Sequence, residues 1–388
     1  MLKNYLKTAF RNLQRNKTYA FINTLGLSVG IAACFLIFLV VKFESSFDDF
    51  HPKKNSIYRI GTEFHNQDGV SYSDGVSFPT GSALRVDFPQ IKEVASIFKN
   101  GGQVTVEDGT THQKKLQEDN FYYVEPEFFS IFNFGWLSGN PKTALSNPNN
   151  AVLTQATAEK YFGDWKSALG KTIKYENKDP YTVTGILKNI PPNSDFPLSV
   201  VVGYSALQHT YIKDNMTDWV STFGGAYTFA VLPDDLPVEK FNAELKTFAK
   251  KHKPAEYASD GYIAQPLSEI HYDDRFGNYN EHTFSHSLIK ALSLIGIFLI
   301  VIACVNFINL ATAQAVNRSK EVGVRKVLGS NRKQLAMQFL GETAMIVLIT
   351  LVAATMIAAS VLPFLNKLLD VRMNMNLIKS THVTSPSH

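Results

Sequence analysis

The sequence predicts an α-helical membrane protein with three transmembrane helices and a large α+β extracytoplasmic domain. Three long apolar runs, at residues 22–41, 288–313 and 341–363, reach the length of roughly 20 residues that a helix needs to cross a bilayer. The intervening region, residues 42–285, is polar and mixed in character. Basic residues are concentrated before the first run and between the second and third, which indicates that both of these segments are cytoplasmic.

The overall composition excludes some classes of function. The chain has 388 residues and a net charge of +4, and its mean hydropathy of −0.07 averages the apolar runs with the polar region. A small charge that comes from two membrane-proximal segments does not predict nucleic-acid binding, which needs a clustered basic face on a folded domain. Cys34 and Cys304 both lie in apolar runs, so the polar region is not a disulfide scaffold.

Residues 1–17 predict a cytoplasmic amphipathic helix that lies in the membrane interface. Apolar residues recur there at helical spacing, and the segment has no acidic residue. Its basic residues are Lys3, Lys7, Arg11, Arg15 and Lys17. A cleaved signal peptide is the alternative, but the following apolar run is too long and no small-x-small cleavage site is evident.

The first predicted transmembrane helix, residues 22–41, contains no charged residue. Gly26 and Gly30 form a Gly-x-x-x-Gly step, a pattern that lets a partner helix approach closely. The same spacing also arises by chance, so both interpretations stay open.

The polar region, residues 42–285, predicts an α+β domain large enough to bury its own core. Alternating apolar residues predict strands, and apolar residues at helical spacing predict helices. Strands are predicted at residues 56–60, 172–175, 181–187 and 227–232, and helices at 157–162 and 238–252. Residues 177–180 predict a hairpin turn. Because the N-terminus is inside and one span precedes the domain, we expect the domain to lie outside.

The second and third spans carry different packing signals. The second, residues 288–313, contains Asn306 and Asn309, which share one helix face. Amides within a bilayer usually hydrogen-bond to a neighbouring helix, so a packing role is favoured over a transport path. The third, residues 341–363, ends or kinks at Pro363. Its predicted small-residue packing face consists of Ala353, Ala354, Ala358 and Ala359.

The loop between these spans, residues 314–337, is basic and patterned. From residue 317 to residue 335 it has six cations and a single acid, Glu321. Gly329 is typical of a helix end, because glycine tolerates the left-handed conformation that follows a last helical residue. The pattern predicts a short helix, a break at Gly329 and a second helix that runs into the membrane. Charge alone would equally fit an ordinary basic turn beside the membrane.

The loop contains the stretch Lys320-Glu321-Val322-Gly323-Val324-Arg325-Lys326-Val327-Leu328-Gly329. This stretch resembles the signature loop of the FtsX/MacB-like ABC transporter permeases, which follows the second membrane helix in that family. The resemblance implies a coupling element that docks on a separate cytoplasmic ATPase subunit. The coupling residues that it implies are Glu321, Gly323, Arg325, Lys326 and Gly329. Arg325 and Lys326 would supply charged contacts to the ATPase.

The polar region also resembles the extracytoplasmic domain of this family. The resemblance rests on the phrases Asp49-Phe50-His51, Ile57-Tyr58-Arg59, Tyr161-Phe162-Gly163-Asp164, Gly170-Lys171-Thr172, Val183-Thr184-Gly185-Ile186 and Pro191-Pro192-Asn193-Ser194. In the family this domain has two lobes, and the resemblance implies an inserted lobe at residues 196–265.

The polar tail, residues 364–388, departs from the family pattern. The family has a fourth span and often carries two such halves in one chain, whereas this sequence predicts three spans and one half. We therefore expect either a C-terminally truncated chain or an atypical tail that lies outside. Without a fourth helix, the alanine face of the third span is expected to lose a packing partner.

The sequence predicts no catalytic residue and no cofactor site. Residues 166–172 resemble the end of a P-loop, but Trp165 stands where that motif needs glycine, and a predicted strand follows instead of a helix. We therefore expect the ATPase activity to reside on a separate chain.

No metal site is predicted either. His282 and His286 have a spacing that suits a metal, but no third ligand is evident. Solvation at the membrane interface explains them more simply, and the same interpretation applies to His271 and its acidic neighbours. Asp48 and Asp49, close to the end of the first span, are likewise expected to be solvated charges.

These features predict a multi-pass permease subunit of an ABC transporter in the inner membrane, with a large periplasmic domain. As the resemblance implies, ATP binding by the ATPase moves the basic loop, the membrane helices tilt, and the outer domain expels a substrate or extracts a lipoprotein. The expected partners are the ATPase, a second permease half or homodimer partner, membrane lipid and a periplasmic adaptor or substrate protein, with no nucleic acid. The alternative is an FtsX-type regulator that activates a cell-wall hydrolase without transporting a substrate.

Overall fold

A computed structural model describes residues 17–67, 69–107, 113–257, 259–317, 323–324, 327 and 332–375. The chain divides into a helical unit, formed by residues 1–45 and 286–388, and a second unit, residues 46–285, called the domain below. The helices are α1 (Lys17–Glu44), α2 (Thr80–Asp87), α3 (Phe128–Ile131), α4 (Gln155–Phe162), α5 (Trp165–Ala168), α6 (Val238–His252), α7 (Leu267–Ile270), α8 (His286–Asn317) and α9 (Arg332–Leu369).

The strands of the domain belong to one sheet. They are β1 (Ile57–Asn66), β2 (Gly69–Ser73), β3 (Val94–Glu107), β4 (Gln113–Val124), β5 (Trp136–Ser138), β6 (Asn150–Thr154), β7 (Thr172–Tyr175), β8 (Asp179–Leu187), β9 (Val200–Gly203), β10 (Ala226–Val231) and β11 (Gly261–Pro266). Short 3₁₀ helices lie at Lys54–Ser56, Tyr204–His209, Lys213–Thr217 and Ala255–Tyr257.

Three helices of the helical unit are long and apolar enough to cross a membrane, as far as the described residues show. The qualifying segments are Phe21–Glu44 in α1, His286–Ala313 in α8 and Leu335–Leu369 in α9. Many of the large apolar side chains on α8 are half or more exposed. Such a surface is stable only against lipid or another apolar partner, which fits the three predicted membrane helices.

The glycine step of α1 faces α8. A Cβ built on Gly30 would lie 3.0 Å from the Cβ of Ala303, and one built on Gly26 would lie 3.4 Å from Nδ2 of Asn306. The absence of side chains at these two positions therefore allows the two helices to approach closely, as small residues do between membrane helices. Asn309, in contrast, is exposed within the described part of the chain.

The alanine face of α9 packs against α1. Ala354 and Ala358 form a buried cluster with Ala32, and the Ser28 hydroxyl donates to the Thr350 carbonyl at 3.3 Å. The expectation that this face lacks a packing partner is therefore wrong for these two alanines, because the first span supplies the small residue that complements them.

Helix α9 does not end at Pro363. It continues to Leu369, so the predicted boundary between the span and the tail lies six residues too early. Proline removes one helical N–H, but a long helix tolerates that loss. The helix ends just before Asp370, whose φ of 51° is left-handed. The Asn366 carbonyl accepts from the Val371 N–H at 3.0 Å, and the Asn366 side-chain amide bonds to both the N–H and the carbonyl of Met373.

Six strands of the domain close into a ring. The sheet order is β11-β1-β10-β3-β4-β9-β6-β8-β5, with β2 beside β1. Strand β7 pairs with both β3 and β8, which joins two strands that are far apart in this order. Hydrogen bonding therefore runs around β3, β4, β9, β6, β8 and β7 and returns to β3. A closed ring leaves these strands few unpaired edges.

Alternating side chains divide the domain into separate cores. Val200 and Val202 of β9 belong to the core enclosed by the ring, whereas Val201 points into a second core on the other face, rich in phenylalanine. Helix α6 covers a third core through Phe241 and Leu245. The period of two along each strand produces this division.

Residues 196–265, predicted as an inserted lobe, contribute β9, β10 and β11 to the same sheet. Strand β10 lies between β1 and β3, and β11 pairs with β1. These residues therefore share their hydrogen bonding with earlier parts of the domain.

We expect Gly30→Leu to destabilise the helical unit, because the new side chain would collide with Ala303. The measurement is the temperature at which the detergent-solubilised chain loses its monodisperse gel-filtration peak, and we expect a decrease of several degrees. Gly341→Leu is the matched control, since a Cβ at Gly341 meets no atom within 4 Å in the part of the chain that the structure describes. Equal midpoints for the two variants would contradict close packing at Gly30.

Candidate functional site at the ends of the domain

Most of the predicted coupling residues lie outside the described residues. They are Glu321, Arg325, Lys326 and Gly329. Gly323 is described: it is helical and exposed, and among the described residues no atom lies within 4 Å of a Cβ built there. The predicted interfacial helix, residues 1–17, is described only at Lys17, the first residue of α1.

A buried polar cluster joins the two ends of the domain. The leading segment, residues 46–51, follows α1, and the trailing segment, residues 271–284, precedes α8. Both meet the turn at residues 193–195. We call the residues that join them the junction cluster: Asp48, His51, Ser194, Asp195, His271 and Asn278.

Asp48 is the centre of the junction cluster. Its Oδ1 accepts a hydrogen bond from the Ser194 hydroxyl at 2.6 Å, and its Oδ2 accepts from the backbone N–H of Asp195 at 3.1 Å. Asp48 is 1% exposed and has a φ of 54°, a left-handed conformation that Asp and Asn tolerate better than most residues. The expectation of a solvated charge is therefore wrong for Asp48, although Asp49 is exposed as predicted.

Burial and charge both act on the Asp48 carboxyl. Removal from water and the neighbouring Asp195 carboxyl together raise its pKa from 3.8 to about 7, against the opposing effect of the Ser194 hydrogen bond. Two carboxylates that share a buried site disfavour the state in which both are ionised. The protonated form of Asp48 is consequently stabilised in the folded domain.

His51 lies in an aromatic environment beside Asp48. Its ring packs near Phe132, Phe134 and Phe196, and its Nδ1 accepts from the Asn133 N–H at 3.0 Å. The proton of the neutral ring must then lie on Nε2, which is 3.7 Å from Oδ1 of Asp48. Burial lowers the pKa of His51 from 6.5 to about 3, so the ring stays neutral above that pH.

Asp195 connects the turn to the trailing segment. Its Oδ1 accepts from Nδ2 of Asn278 at 2.9 Å and lies 3.3 Å from Nδ1 of His271. The His271 ring stacks on Phe47 with ring centres 3.4 Å apart and is 1% exposed. The expectation that His271 is solvated is therefore wrong, because aromatic stacking and a buried carboxylate enclose its ring.

Further hydrogen bonds fix the backbone of the same segments. The Asp48 N–H donates to the Asn193 carbonyl at 3.0 Å, and the Asn193 amide donates to the Ser46 carbonyl at 2.8 Å. From the other end, the Asn280 amide donates to the Ser194 carbonyl at 3.0 Å. The leading segment and the trailing segment are thus each hydrogen-bonded to the 193–195 turn.

Arg59 ties the trailing segment to the sheet. This side chain of β1 is fully buried, and its guanidinium donates to the Gly277 carbonyl at 2.9 Å and to Oε1 of Gln265. It also lies over the Tyr227 ring, 4.8 Å from the centroid. A buried cation with these partners holds position rather than performing chemistry.

The junction cluster has the groups of a structural joint. His271 and His282 have ring centres 5.6 Å apart. The cluster contains hydroxyl, amide and carboxyl groups that bond to one another. Its chemical capacity is to fix the two ends of the domain and to hold a proton on Asp48.

The sequence matches the MacB-like periplasmic core domain over residues 20–248 and the FtsX-like permease C-terminal domain over residues 293–385. The chain belongs to the FtsX/MacB-like family of ABC transporter permeases. The resemblance found in the loop and in the domain phrases is thereby confirmed. The matched regions support a membrane protein with a large extracytoplasmic domain.

The curated relatives are also permease components of ABC transporters. The uncharacterized ABC transporter permease YvrN of Bacillus subtilis is 22% identical over 363 residues, which are 88% of this chain and 83% of YvrN. The pyoverdine export ATP-binding/permease protein PvdT of Pseudomonas entomophila is 23% identical over 366 residues, which are 91% of this chain and 51% of PvdT. This chain thus spans about half the length of PvdT.

A solved structure of the periplasmic region of MacB from Actinobacillus actinomycetemcomitans is also similar. It is 16% identical, with a TM-score of 0.40, and the match covers 56% of this chain and 91% of that one.

We expect Asp48→Asn to change how the stability of the domain depends on pH. Asp48, whose pKa is raised to about 7, makes stability fall as pH rises from about 4 to 7. His51, whose pKa is lowered to about 3, makes stability rise from about pH 3 to 6.5. The two slopes, each up to about 1.4 kcal/mol per pH unit, oppose one another in the wild type. The variant should retain only the rising slope between about pH 4 and 6.5.

Tryptophan fluorescence during thermal unfolding of the detergent-solubilised chain measures this effect. All three tryptophans, Trp136, Trp165 and Trp219, lie in the domain. Asn at residue 48 can keep the left-handed backbone and one acceptor for Ser194. Asp49→Asn is the exposed control and should follow the wild-type profile. Parallel profiles for wild type and Asp48→Asn would show that Asp48 does not titrate as described.

Proposed function

We propose that this chain couples ATP hydrolysis by a separate ATPase to a shape change of its extracytoplasmic domain, as the permease subunit of an ABC transporter in the inner membrane. The observation that carries the proposal is the combination of three membrane-length helices with a domain whose two ends are bonded into one buried cluster. Family membership makes the permease role the starting point.

The proposed ATPase partner rests on family membership and on the basic loop. PvdT is named as an ATP-binding/permease protein, and the residues of this chain that match the family are periplasmic and permease segments. We place ATP binding on a partner chain, and the docking role on the basic loop through Glu321, Gly323, Arg325, Lys326 and Gly329.

The junction cluster supports transmission of movement into the domain. Asp48 lies four residues after the end of α1, and the trailing segment ends two residues before α8 begins. A displacement of α1 would act directly on the leading segment, and a displacement of α8 on the trailing segment. Both segments are bonded to the 193–195 turn. The buried hydrogen bonds of the cluster resist such displacement, because breaking one leaves a polar group unpaired in the interior. The domain would then move as a body, which suits substrate expulsion or extraction of a lipoprotein.

We expect the double change Arg325→Glu, Lys326→Glu to abolish recovery of the ATPase with this chain. Charge reversal at a docking surface places like charges together, which costs several kcal/mol. The measurement is co-purification of the co-expressed ATPase in detergent. Membrane insertion should remain intact, since the reversed charges lie outside the apolar spans.

The control for this experiment is Lys246→Glu, Lys250→Glu on α6. Both lysines are exposed in the domain, and the net charge of the chain changes by the same amount. This variant should recover the ATPase as the wild type does. Undiminished recovery with the loop variant would remove the loop from the docking role.

We expect residue 330 to be cytoplasmic and the domain to be extracytoplasmic. Single cysteines at Ser330 and Ser205, in a background lacking Cys34 and Cys304, test this with a membrane-impermeant reagent on intact cells. Ser205 is exposed on the domain, whereas Ser194 is buried and would not react in either topology. Labelling of Ser330→Cys without labelling of Ser205→Cys would invert the proposed orientation.

A further inference from the structure

The closed ring of strands has a pocket at one mouth. The pocket has a volume of about 360 Å³ and lies where the end of β7, the start of β8, the bulge of β3 and residues 207–212 meet. Two of its lining residues, Tyr123 and Tyr175, belong to the core enclosed by the ring. The mouth of a barrel is a frequent position for ligand sites.

Close packing builds the floor of this pocket. The pairing of β3 with β4 shifts register between Asn100 and Gly102, and a Cβ on Gly102 would lie only 2.5 Å from the Tyr175 hydroxyl. The Tyr175 hydroxyl donates instead to the Gly101 carbonyl at 2.8 Å. Glycine at residue 102 is therefore required for the Tyr175 ring to lie across the bulge.

Three tyrosine rings line the pocket at different depths. Tyr123 is 1% exposed and Tyr175 is 5% exposed, whereas Tyr211 at the rim is 74% exposed. The Tyr123 hydroxyl is buried beside the Tyr181 and Tyr175 side chains. Tyr211 is therefore the ring of this pocket that is open to a ligand, and it lies above two buried tyrosines.

Two carboxylates and one amine stand at the same mouth. Glu176 has a φ of 51°, and its Oε1 accepts from the Gln103 N–H at 2.6 Å. Asp179 is half-buried and Lys178 is exposed. Among the described residues, no basic side chain lies within ion-pair distance of the Asp179 carboxylate. The lining thus has an excess of one negative charge beside the exposed Tyr211 ring.

We propose that this pocket binds a small organic cation, an ammonium ion that carries an apolar body. Aromatic faces attract ammonium groups, and quaternary ammonium ligands are recognised by cages of such rings. Asp179 would supply the countercharge, and Tyr211 would close over the bound group. This site is independent of ATPase docking.

The lining disfavours the other classes of small ligand. An anion would meet the carboxylates of Glu176 and Asp179 against Lys178 alone. A hydrated metal ion prefers several oxygen ligands to aromatic faces. A neutral apolar molecule would leave the Asp179 carboxylate desolvated beside it without compensation.

Two probe molecules of equal shape test the proposal. Acetylcholine carries a quaternary ammonium, and 3,3-dimethylbutyl acetate replaces that nitrogen with carbon. Calorimetric titration of the full-length chain in a non-ionic detergent should show the cation binding about tenfold more tightly than its neutral counterpart. Equal binding of the two probes, or no binding of either up to about 10 mM, would overturn the proposal.

Matched variants assign the binding to this pocket. We expect Asp179→Asn and Tyr211→Ala each to weaken acetylcholine binding about fivefold, and Lys178→Gln to strengthen it a few-fold because a like charge is removed. Asp235→Asn removes an exposed acid outside the pocket and should leave the affinity unchanged. Equal effects of Asp179→Asn and Asp235→Asn would show that only overall charge attracts the cation, which also contradicts the site. A failure of ATPase docking would not alter any of these outcomes.

Discussion

The buried bonds of Asp48 determine how the chain enters its extracytoplasmic domain. The carboxylate holds the 193–195 turn through the Ser194 hydroxyl and the Asp195 N–H, and Asp195 in turn holds the trailing segment through Asn278. Each of these groups would be costly to bury alone, because an unpaired polar group in the interior loses its hydration. Their pairing therefore requires all three segments to be present together, and the two ends of the domain can form this joint only as a unit.

The ring of strands positions the 193–195 turn and separates the cores of the domain. Strand β8 leads into that turn and β9 leads out of it, and both belong to the ring. Alternation along the strands separates a ring core from a phenylalanine-rich core, and the latter contains Phe132 and Phe196, which surround His51. The aromatic packing that lowers the pKa of His51 is thus a consequence of strand periodicity, since one face of the same sheet supplies it.

Local patterns predicted the elements well, but not the partners of polar residues. Helix α6 begins and ends where the apolar spacing places it, and β7 matches its alternating stretch. The hairpin turn is displaced, since Glu176 and Asn177 take the left-handed conformations while Pro180 lies inside β8. Asp48 was predicted to be solvated because it lies close to the end of a membrane span. Its actual partners are about 146 residues away, and no local pattern encodes a contact of that separation.

The junction cluster contributes more to specificity than to net stability. Burying two carboxylates costs free energy that their hydrogen bonds only partly return, and apolar residues of similar size would often be as stable. Polar groups, however, accept few alternative arrangements, because each donor needs one acceptor at a fixed distance and angle. An apolar joint could slide by a side chain's width, whereas Asp48 and Asp195 fix the register of the leading and trailing segments. The transmission of movement proposed above would depend on that fixed register more than on additional stability.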